Sequence, residues 1–558
     1  MVRRWRGVCL GAGFVWTLGC SEVVGDGPSQ PTLMQTDPNA RFEFPPLQQT
    51  VETYELVVPR ATLDAFAAKP RETPLSAAEF IYNGERQAVR VRLRGNSSRE
   101  WAKKSWKVEF PDGVEFQGRD ELNLVSQWFD ATLMVEKLGY DLLAAMGVPA
   151  PRARFVRLVI NGQYQGIYTE LEQVDKHFLR AHDFPDDDAT IYRCGGKDCE
   201  FKTWQAPFQE AWEQKTNERA PSTELQDFLH ALNHTPEPQL LEVLEKRLEL
   251  ELFLRNMTLN ALISNYTVED SRSYFIFDAK TGRWHYVPWD LNNASTRYTP
   301  GSNVGTSARH DRALFVFSLA DPWVEKRLLE RREQYPGTDW HPLFSNLHQR
   351  IVLNPELRGR VLHLVERGLD ELFDPGVINA RIDAMYALLA PYIGGEDNVF
   401  PVDQSAWDDP RVVFPEKFAD GPRYLKEYAR LRSEYLRHQI QQLRSSIITG
   451  LVLESVDPRQ GIVELRNRSD SAVNTSGMVL APDLRHPIAP NLPVVVLPPG
   501  GTLRLRTSEM GFALPLNGEL GLFDGKSMIG VLDALFFGAL PEGQSFVRNV
   551  DSGRWEVR

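Results

Sequence analysis

Cysteine is scarce in this chain: four in 558 residues, at positions 9, 20, 194 and 199. That excludes a small disulfide-scaffolded fold, which needs a dense framework of cysteines. Positive charge is also short: 63 Lys and Arg against 75 Asp and Glu leave a net charge of −12. This balance excludes sequence-independent nucleic-acid binding, which rests on basic surface, while leaving room for a local basic pocket. After the first twenty residues no apolar run is long enough to be a transmembrane candidate. There is no Gly-x-Ser-x-Gly elbow, no Walker loop, no internal repeat and no low-complexity tract. His230 and His234 are spaced for one helix face, but HALNH lacks the glutamate of a zinc protease and no third ligand is near. They read as a surface pair.

What is present argues for several folded units. A chain of 558 residues exceeds one hydrophobic core, so two to four domains are expected. Apolar residues make up 42% and charged residues 25%, an ordinary globular balance. MVRRWR followed by the thirteen residues GVCLGAGFVWTLG reads as a basic region and a short apolar core of an export signal. TLGC resembles a bacterial lipoprotein box, with Thr17 where a larger aliphatic is usual. Cleavage before Cys20 and lipidation of Cys20 are therefore expected, with plain secretion as the alternative. Residues 21–48 are polar and proline-rich and read as a tether. Cys194 and Cys199 bracket four residues including Gly195 and Gly196. That spacing favours a small disulfide-closed loop over a zinc site, which would need two further ligands.

Residues 50–110 alternate apolar and polar, as in VETYELVV and QAVRVRLRG, and predict strands. WKVEF is a further strand. A helix follows, with Asp130 as its cap and Met134, Leu138, Leu142 and Met146 on one face. FVRLVI-NGQ-YQGIYTELE predicts a hairpin at Asn161-Gly162. Helical periodicity runs through 205–260, returns from Leu343 to Leu389, and ends in a helix starting near Pro422. Between these, NYTVEDSRSYFIFDAKTGRWHYVPWDLNN reads as loop, strand, turn, strand. Asp270 precedes the first strand and Asp290 follows the second, so a hairpin would bring the two carboxylates back together. Beyond 448, short strands broken by Gly, Pro and Asn predict a β-sandwich.

Residues 49–446 resemble the CotH-like kinases, atypical protein kinases first associated with bacterial spore coats. The resemblance rests on VRLRGNSSREWAKKSWKVEF, on DATLMVEKLGYDLLAAMGVPAPRARFVRLVINGQYQGIYTELEQVDKHFL and on GRWHYVPWDLNNA. Residues 448–558 resemble a lamin-tail domain, an immunoglobulin-like sandwich, through GIVELRNRSDSAVNTSGMVL and LPLNGELGLFDGKSMIGVLDALFFG. The expected fold class is α+β: a two-lobed protein-kinase-like domain followed by an all-β sandwich.

The resemblance implies ATP- and Mg2+-dependent phosphorylation of protein serine or threonine, with Mn2+ as an alternative metal. It makes Asp290 the metal-binding aspartate, with Asn292 where many members carry a second aspartate, and Asp270 the catalytic base. Ser273 stands where the family has a metal-liganding asparagine. Arg94, Gly95, Asn96, Ser97 and Ser98 form a loop able to surround phosphate with charge and backbone N–H groups. Lys104, rather than Lys103 or Lys107, is expected on the phosphates, with Glu136 as its ion-pair partner. Glu172 is expected where a kinase hinge meets adenine. The expected partners are a protein substrate and a membrane reached through the lipid alone, with no nucleic acid, in an extracytoplasmic setting. The rival reading is a pseudokinase acting as an envelope structural protein, because two ligand positions are altered.

Overall fold

The alternation of inward apolar and outward polar residues between positions 50 and 171 gives each strand one buried face, and the strands close on themselves. A computed structural model of the chain describes residues 40–558, apart from 129, 131, 195–198, 200, 203, 205–207, 266–272, 294–309, 316–344 (bar Glu333 and Pro336), 395–398, 400–417, 447–449, 485–488, 526–530 and 550. Seven strands form a closed barrel: β1 Glu52–Val57, β2 Ser76–Tyr82, β3 Glu85–Leu93, β4 Trp106–Glu109, β5 Glu121–Val125, β6 Ala153–Ile160 and β7 Gln163–Leu171. Their order is β1-β2-β3-β4-β5-β7-β6. The ring closes through the parallel pair β1 and β6, in register from Glu52↔Val156 to Leu56↔Ile160. Tyr54, Leu56, Val91, Val108, Leu124 and Leu158 fill its interior. The predicted β6–β7 hairpin turns at Asn161 and Gly162, with φ of 51° and 77°. A two-residue type I′ turn needs positive φ at both positions.

Two helices belong to this first part: α1 Arg60–Ala68 and α2 Val135–Ala145. The expected cap of α2, Asp130, stands five residues ahead of the helix yet still serves it. Its Oδ2 accepts the Val135 N–H at 2.9 Å, and Oδ1 accepts the Thr132 N–H at 2.9 Å. Met134, Leu142 and Met146 are fully buried, as their spacing predicts.

The middle of the chain supplies α3 Lys176–Ala181, β8 Thr190–Cys194, β9 Trp212–Gln214, α4 Thr223–His234, α5 Leu240–Arg247, α6 Leu250–Ile263, β10 Ser273–Asp278 and β11 Arg283–Pro288. The strands form a sheet in the order β11-β10-β8-β9. Among the described residues four further α-helices follow: α7 Asn346–Leu353, α8 Pro355–Glu371, α9 Pro375–Leu389 and α10 Gly421–Ser446. Helices α8 and α9 start with the same local chemistry: Asn354 and Asp374 cap them, and Pro355 and Pro375 fill the first turn. The sheet buries Phe275, Trp284 and Tyr286 against this helical layer in one large core. Its other face, with Tyr274, Ile276 and Val287, packs on Val174, Phe178 and Phe184.

The expected tether ends before Gln48. Phe42 is 3% exposed and lies under two guanidiniums, of Arg367 at 4.2 Å and of Arg255 at 5.5 Å from its ring centre. The Glu43 N–H donates to the Ala145 carbonyl at the end of α2. Arg381 donates to the Pro45 carbonyl at 2.7 Å and to Asp141 of α2 at 2.6 Å. Gln48 exchanges two hydrogen bonds with the Phe155 backbone. Two phenylalanines in an otherwise polar stretch are enough to fasten it. Cys20 and the rest of the expected signal and tether lie outside the described residues.

A disulfide joins Cys194, the last residue of β8, to Cys199, with a Cα–Cα distance of 6.1 Å. Replacing both cysteines by serine is expected to lower stability by about 2 kcal/mol, the loop-closure contribution of so short a ring. Urea denaturation checks this; wild-type protein in reducing buffer should match the variant.

Beyond α10 the described elements are β-strands. Five strands lie in the order Thr502–Arg506, Ile462–Asn467, Leu451–Asp457, Phe546–Arg548, Trp555–Val557, and three in the order Val479–Ala481, Gly518–Phe523, Val531–Phe537. Leu453, Val463, Leu465, Leu520, Leu522 and Leu535 share one core between them. This region docks on the helical layer. Fully buried Arg350 of α7 donates to the Leu232 carbonyl at 2.7 Å, pairs with Glu237 at 3.2 Å, and stacks 4.4 Å over Phe536.

Candidate active site

Three separated segments bring charge to one place: the end of β3, the first turn of α2, and the turn after β11. Arg94 follows β3, and its guanidinium lies 5.7 Å over the Trp289 ring. Glu136 and Asp290 both act on that guanidinium, pulling its pKa up against a burial effect that pushes it down. Glu136 is 1% exposed and accepts from the Gln127 side chain. Burial, and then the Asp290 charge, push the Glu136 carboxyl up to about 8, while Gln127 and Arg94 pull it down. Tyr140, one helical turn along from Glu136, is pushed well above its ordinary range by burial and by the same two carboxylates.

The backbone is bent to make this arrangement. Asp290 has φ 63°, Gln127 φ 51° and Leu133, just before α2, φ 58°. Side-chain-bearing residues seldom adopt such angles, and Leu133 is the most strained of the three. Gly139 lets α2 approach the turn after β11. A Cβ there would stand 3.1 Å from Leu291 Cδ1 and 3.6 Å from Ile263 Cδ1. Gly139→Val is expected to destabilise the fold by about 1–3 kcal/mol through overpacking. Urea unfolding measures it, and an unchanged midpoint would show that α2 has room to move.

The other expected residues divide. Gly95 has φ 98°, and a Cβ there would overlap the Ser98 hydroxyl, so the loop needs glycine at that point. Asn96 precedes a short 3-10 turn, Ser97–Glu100, and of this loop Arg94 is the residue whose charge interacts with Glu136 and Asp290. Lys104 stands apart from Glu136: its amine donates to the Arg99 carbonyl at 2.8 Å, and its charged neighbour is Glu100. Lys103 is fully buried, donates to the Ile167 carbonyl at 2.6 Å and sits 4.7 Å over Tyr168. Lys107 pairs with Glu121 at 2.6 Å. Asn292 follows Asp290 in the turn Leu291–Asn293. Asp270 lies outside the described residues.

Glu172 is engaged away from the Arg94–Glu136–Asp290 cluster. Its carboxylate accepts the Arg152 N–H at 2.9 Å and meets His182 at 2.9 Å. The next residue, Gln173, accepts from Asn123 at 2.9 Å and bonds the Tyr274 hydroxyl, which also interacts with Arg94. Alternation along an extended chain sends neighbours to opposite sides, so Gln173 faces the cluster and Glu172 faces away. Sequence reasoning missed Gln127, Tyr140, Gln173, Tyr274 and Trp289. Tyr140 was accessible from its four-residue spacing to Glu136. Trp289 was accessible from its place beside Asp290.

Fold and site together define an α+β protein in which a barrel arginine faces one carboxylate from α2 and one from the turn after β11. The CotH family, described as CotH kinase protein, matches residues 91–436. The chain belongs to that family. It is also 25% identical over 369 residues to the inner spore coat protein H of Bacillus subtilis (strain 168), covering 65% of this chain and 90% of that relative. The family match ends before the β-rich C-terminal region. Among the described residues no helix is long and apolar enough to cross a membrane.

Proposed function

We propose that this chain is an atypical kinase transferring the γ-phosphoryl group of ATP to serine or threonine hydroxyls of a protein outside the cytoplasm. The observation that carries the reading is the convergence of Arg94, Glu136 and Asp290. The donor set suits ATP with Mg2+ or Mn2+. A divalent cation calls for oxygen ligands close together, and Asp290 is near enough to Glu136 to raise its pKa. Phosphate calls for a fixed guanidinium, and Arg94 is held over Trp289. Asp290 and Asn292 would hold the metal. Glu136 orients Arg94, and Arg94 with the Gly95–Ser98 backbone takes the phosphate oxygens. When bound, metal-ATP supplies the transferable group and neutralises charge across its oxygens. Asp270 is proposed to orient the acceptor hydroxyl and take its proton. Lipid on Cys20 would hold the enzyme at the envelope, and the C-terminal region would be a lamin-tail-like immunoglobulin sandwich used as a scaffold.

A second reading, a pseudokinase with a structural role, is favoured by one observation. Ser273, in place of the family's asparagine, is buried beside the Tyr286 hydroxyl, on the face of β10 opposite Tyr274. Nucleotide titration of two variants tests the proposed contacts. Arg94→Ala is expected to weaken ATP·Mg2+ binding about 10- to 100-fold, the range of a charge-assisted contact. Lys104→Ala should change it less than threefold, roughly the scale of a charge near the surface that does not touch the ligand. The reverse order would return the phosphate role to Lys104.

A further inference from the structure

On the Glu172 side of the chain after β7 lies a cleft of about 490 Å3 that the proposed transfer does not use. None of its lining residues belongs to the Arg94–Glu136–Asp290 cluster. Arg119, Arg152, Arg154 and Arg180 line it, against three acids, Glu115, Glu170 and Glu172.

Two of the acids are already engaged. Glu170, 1% exposed, is shared by Arg119 and Arg154, the latter at 2.7 Å, and accepts the Tyr54 hydroxyl at 2.7 Å. Glu172 is held by the Arg152 amide and His182, as described above. Two guanidiniums thus crowd one carboxylate, and Arg154 adds to the burial that lowers the Arg119 pKa. At the mouth, side-chain donors remain over. Arg152 donates through one nitrogen, to the Ala181 carbonyl at 2.7 Å. Arg180 reaches His177 at 2.9 Å and Glu115 only at 3.9 Å. A planar fork with spare N–H groups matches the oxygens of a carboxylate or phosphate two at a time. The volume falls in the range of small-ligand pockets rather than of a single bound ion.

We propose that this cleft is a second ligand site, for a small polyvalent oxyanion, a di- or tricarboxylate or a phosphate, gripped by Arg152 and Arg180 above an Arg119–Glu170–Arg154 floor. It stands independently of the kinase reading. Calorimetric titration of the full chain with citrate and with inorganic phosphate, at ionic strength held constant with chloride, tests it. Saturable binding is expected for at least one of the two. Preference for citrate identifies a carboxylate ligand, and preference for phosphate identifies a phosphate.

Both arginines are exposed, so Arg152→Ala with Arg180→Ala should fold, and it should weaken binding about tenfold or more. Arg152→Lys with Arg180→Lys keeps the charge without the fork and should fall between. Arg94→Ala should leave anion binding intact, which separates this site from the proposed phosphate contact of the transfer site. Heat no larger than the chloride control would overturn the proposal. So would equal affinity in the double-alanine variant, or loss of binding in Arg94→Ala.

Discussion

Asp290→Ala is expected to abolish the thermal stabilisation that ATP and Mg2+ give the wild-type chain, and to reduce phosphoryl transfer by about 100-fold or more. A ligand that binds only the folded state stabilises by about 2.7 kcal/mol at a concentration one hundred times its Kd, a shift readily seen in a melting curve. Among the described residues, Asp290 is the carboxylate that both raises the Glu136 pKa and acts on Arg94. Removing it takes away the proposed metal ligand and one of the two carboxylates that act on the guanidinium. Asp270→Ala separates binding from chemistry: it should keep the nucleotide shift and lose transfer. Asp187→Ala, whose carboxylate is exposed and 3.8 Å from Lys280, should behave as wild type in both assays. A wild-type melting shift in Asp290→Ala would remove this residue from the cation site. Absence of any shift in the wild-type chain at millimolar ATP would favour the pseudokinase reading.

Glu136→Gln should raise stability while it lowers activity, and the gain should depend on pH. The Glu136 carboxyl titrates near 8 in the fold, against about 4.3 in an unfolded chain. Below the lower value neither state is ionised and the residue is neutral in its effect. Between the two, the unfolded chain releases the proton and the folded chain keeps it, so stability falls as pH rises. Above about 8 the penalty is constant and at its largest, on the order of a few kcal/mol for so buried a group. In the presence of a chelator, the melting temperature of Glu136→Gln should therefore match wild type near pH 4 and exceed it increasingly up to pH 8–9. Mg2+ should shrink the difference by offsetting the facing carboxylates. A gain that is the same at every pH would mean that packing, and not charge, sets the effect.

How much of this was legible in the sequence follows from how local each feature is. The β10–β11 hairpin and the Asn161-Gly162 turn declare themselves within a dozen residues, because alternation and turn chemistry are local. Closure of the barrel is not local: it depends on the parallel pairing of β1 with β6, which no periodicity within either strand specifies. Helix α2 was readable on its buried face but not at its start, because Asp130 caps it from across a strained Leu133. Within the site the difference is one of orientation. Lys104 carries suitable chemistry but turns to Arg99 and Glu100 rather than to Glu136, while Arg94 and Gln173 point into the cluster and Glu172 points away from it. A shift of one residue on an extended chain reverses direction, and composition carries no information about that. Residues 40–48 read as a tether because proline and polar residues dominate there, and Phe42 and Phe44 were the exceptions that mattered.

The fastening of those residues has a mechanical corollary. Ala40 and Phe42 are fastened to Arg367 and Glu371 of α8, and the next residues reach the C-terminal end of α2 through the Glu43–Ala145 hydrogen bond and the Arg381 bridge between Pro45 and Asp141. Glu136 sits at the opposite end of that same rigid rod. Tension arriving from the amino terminus would thus meet α8 first, through Arg367 and Glu371, and then α2, the helix that carries Glu136.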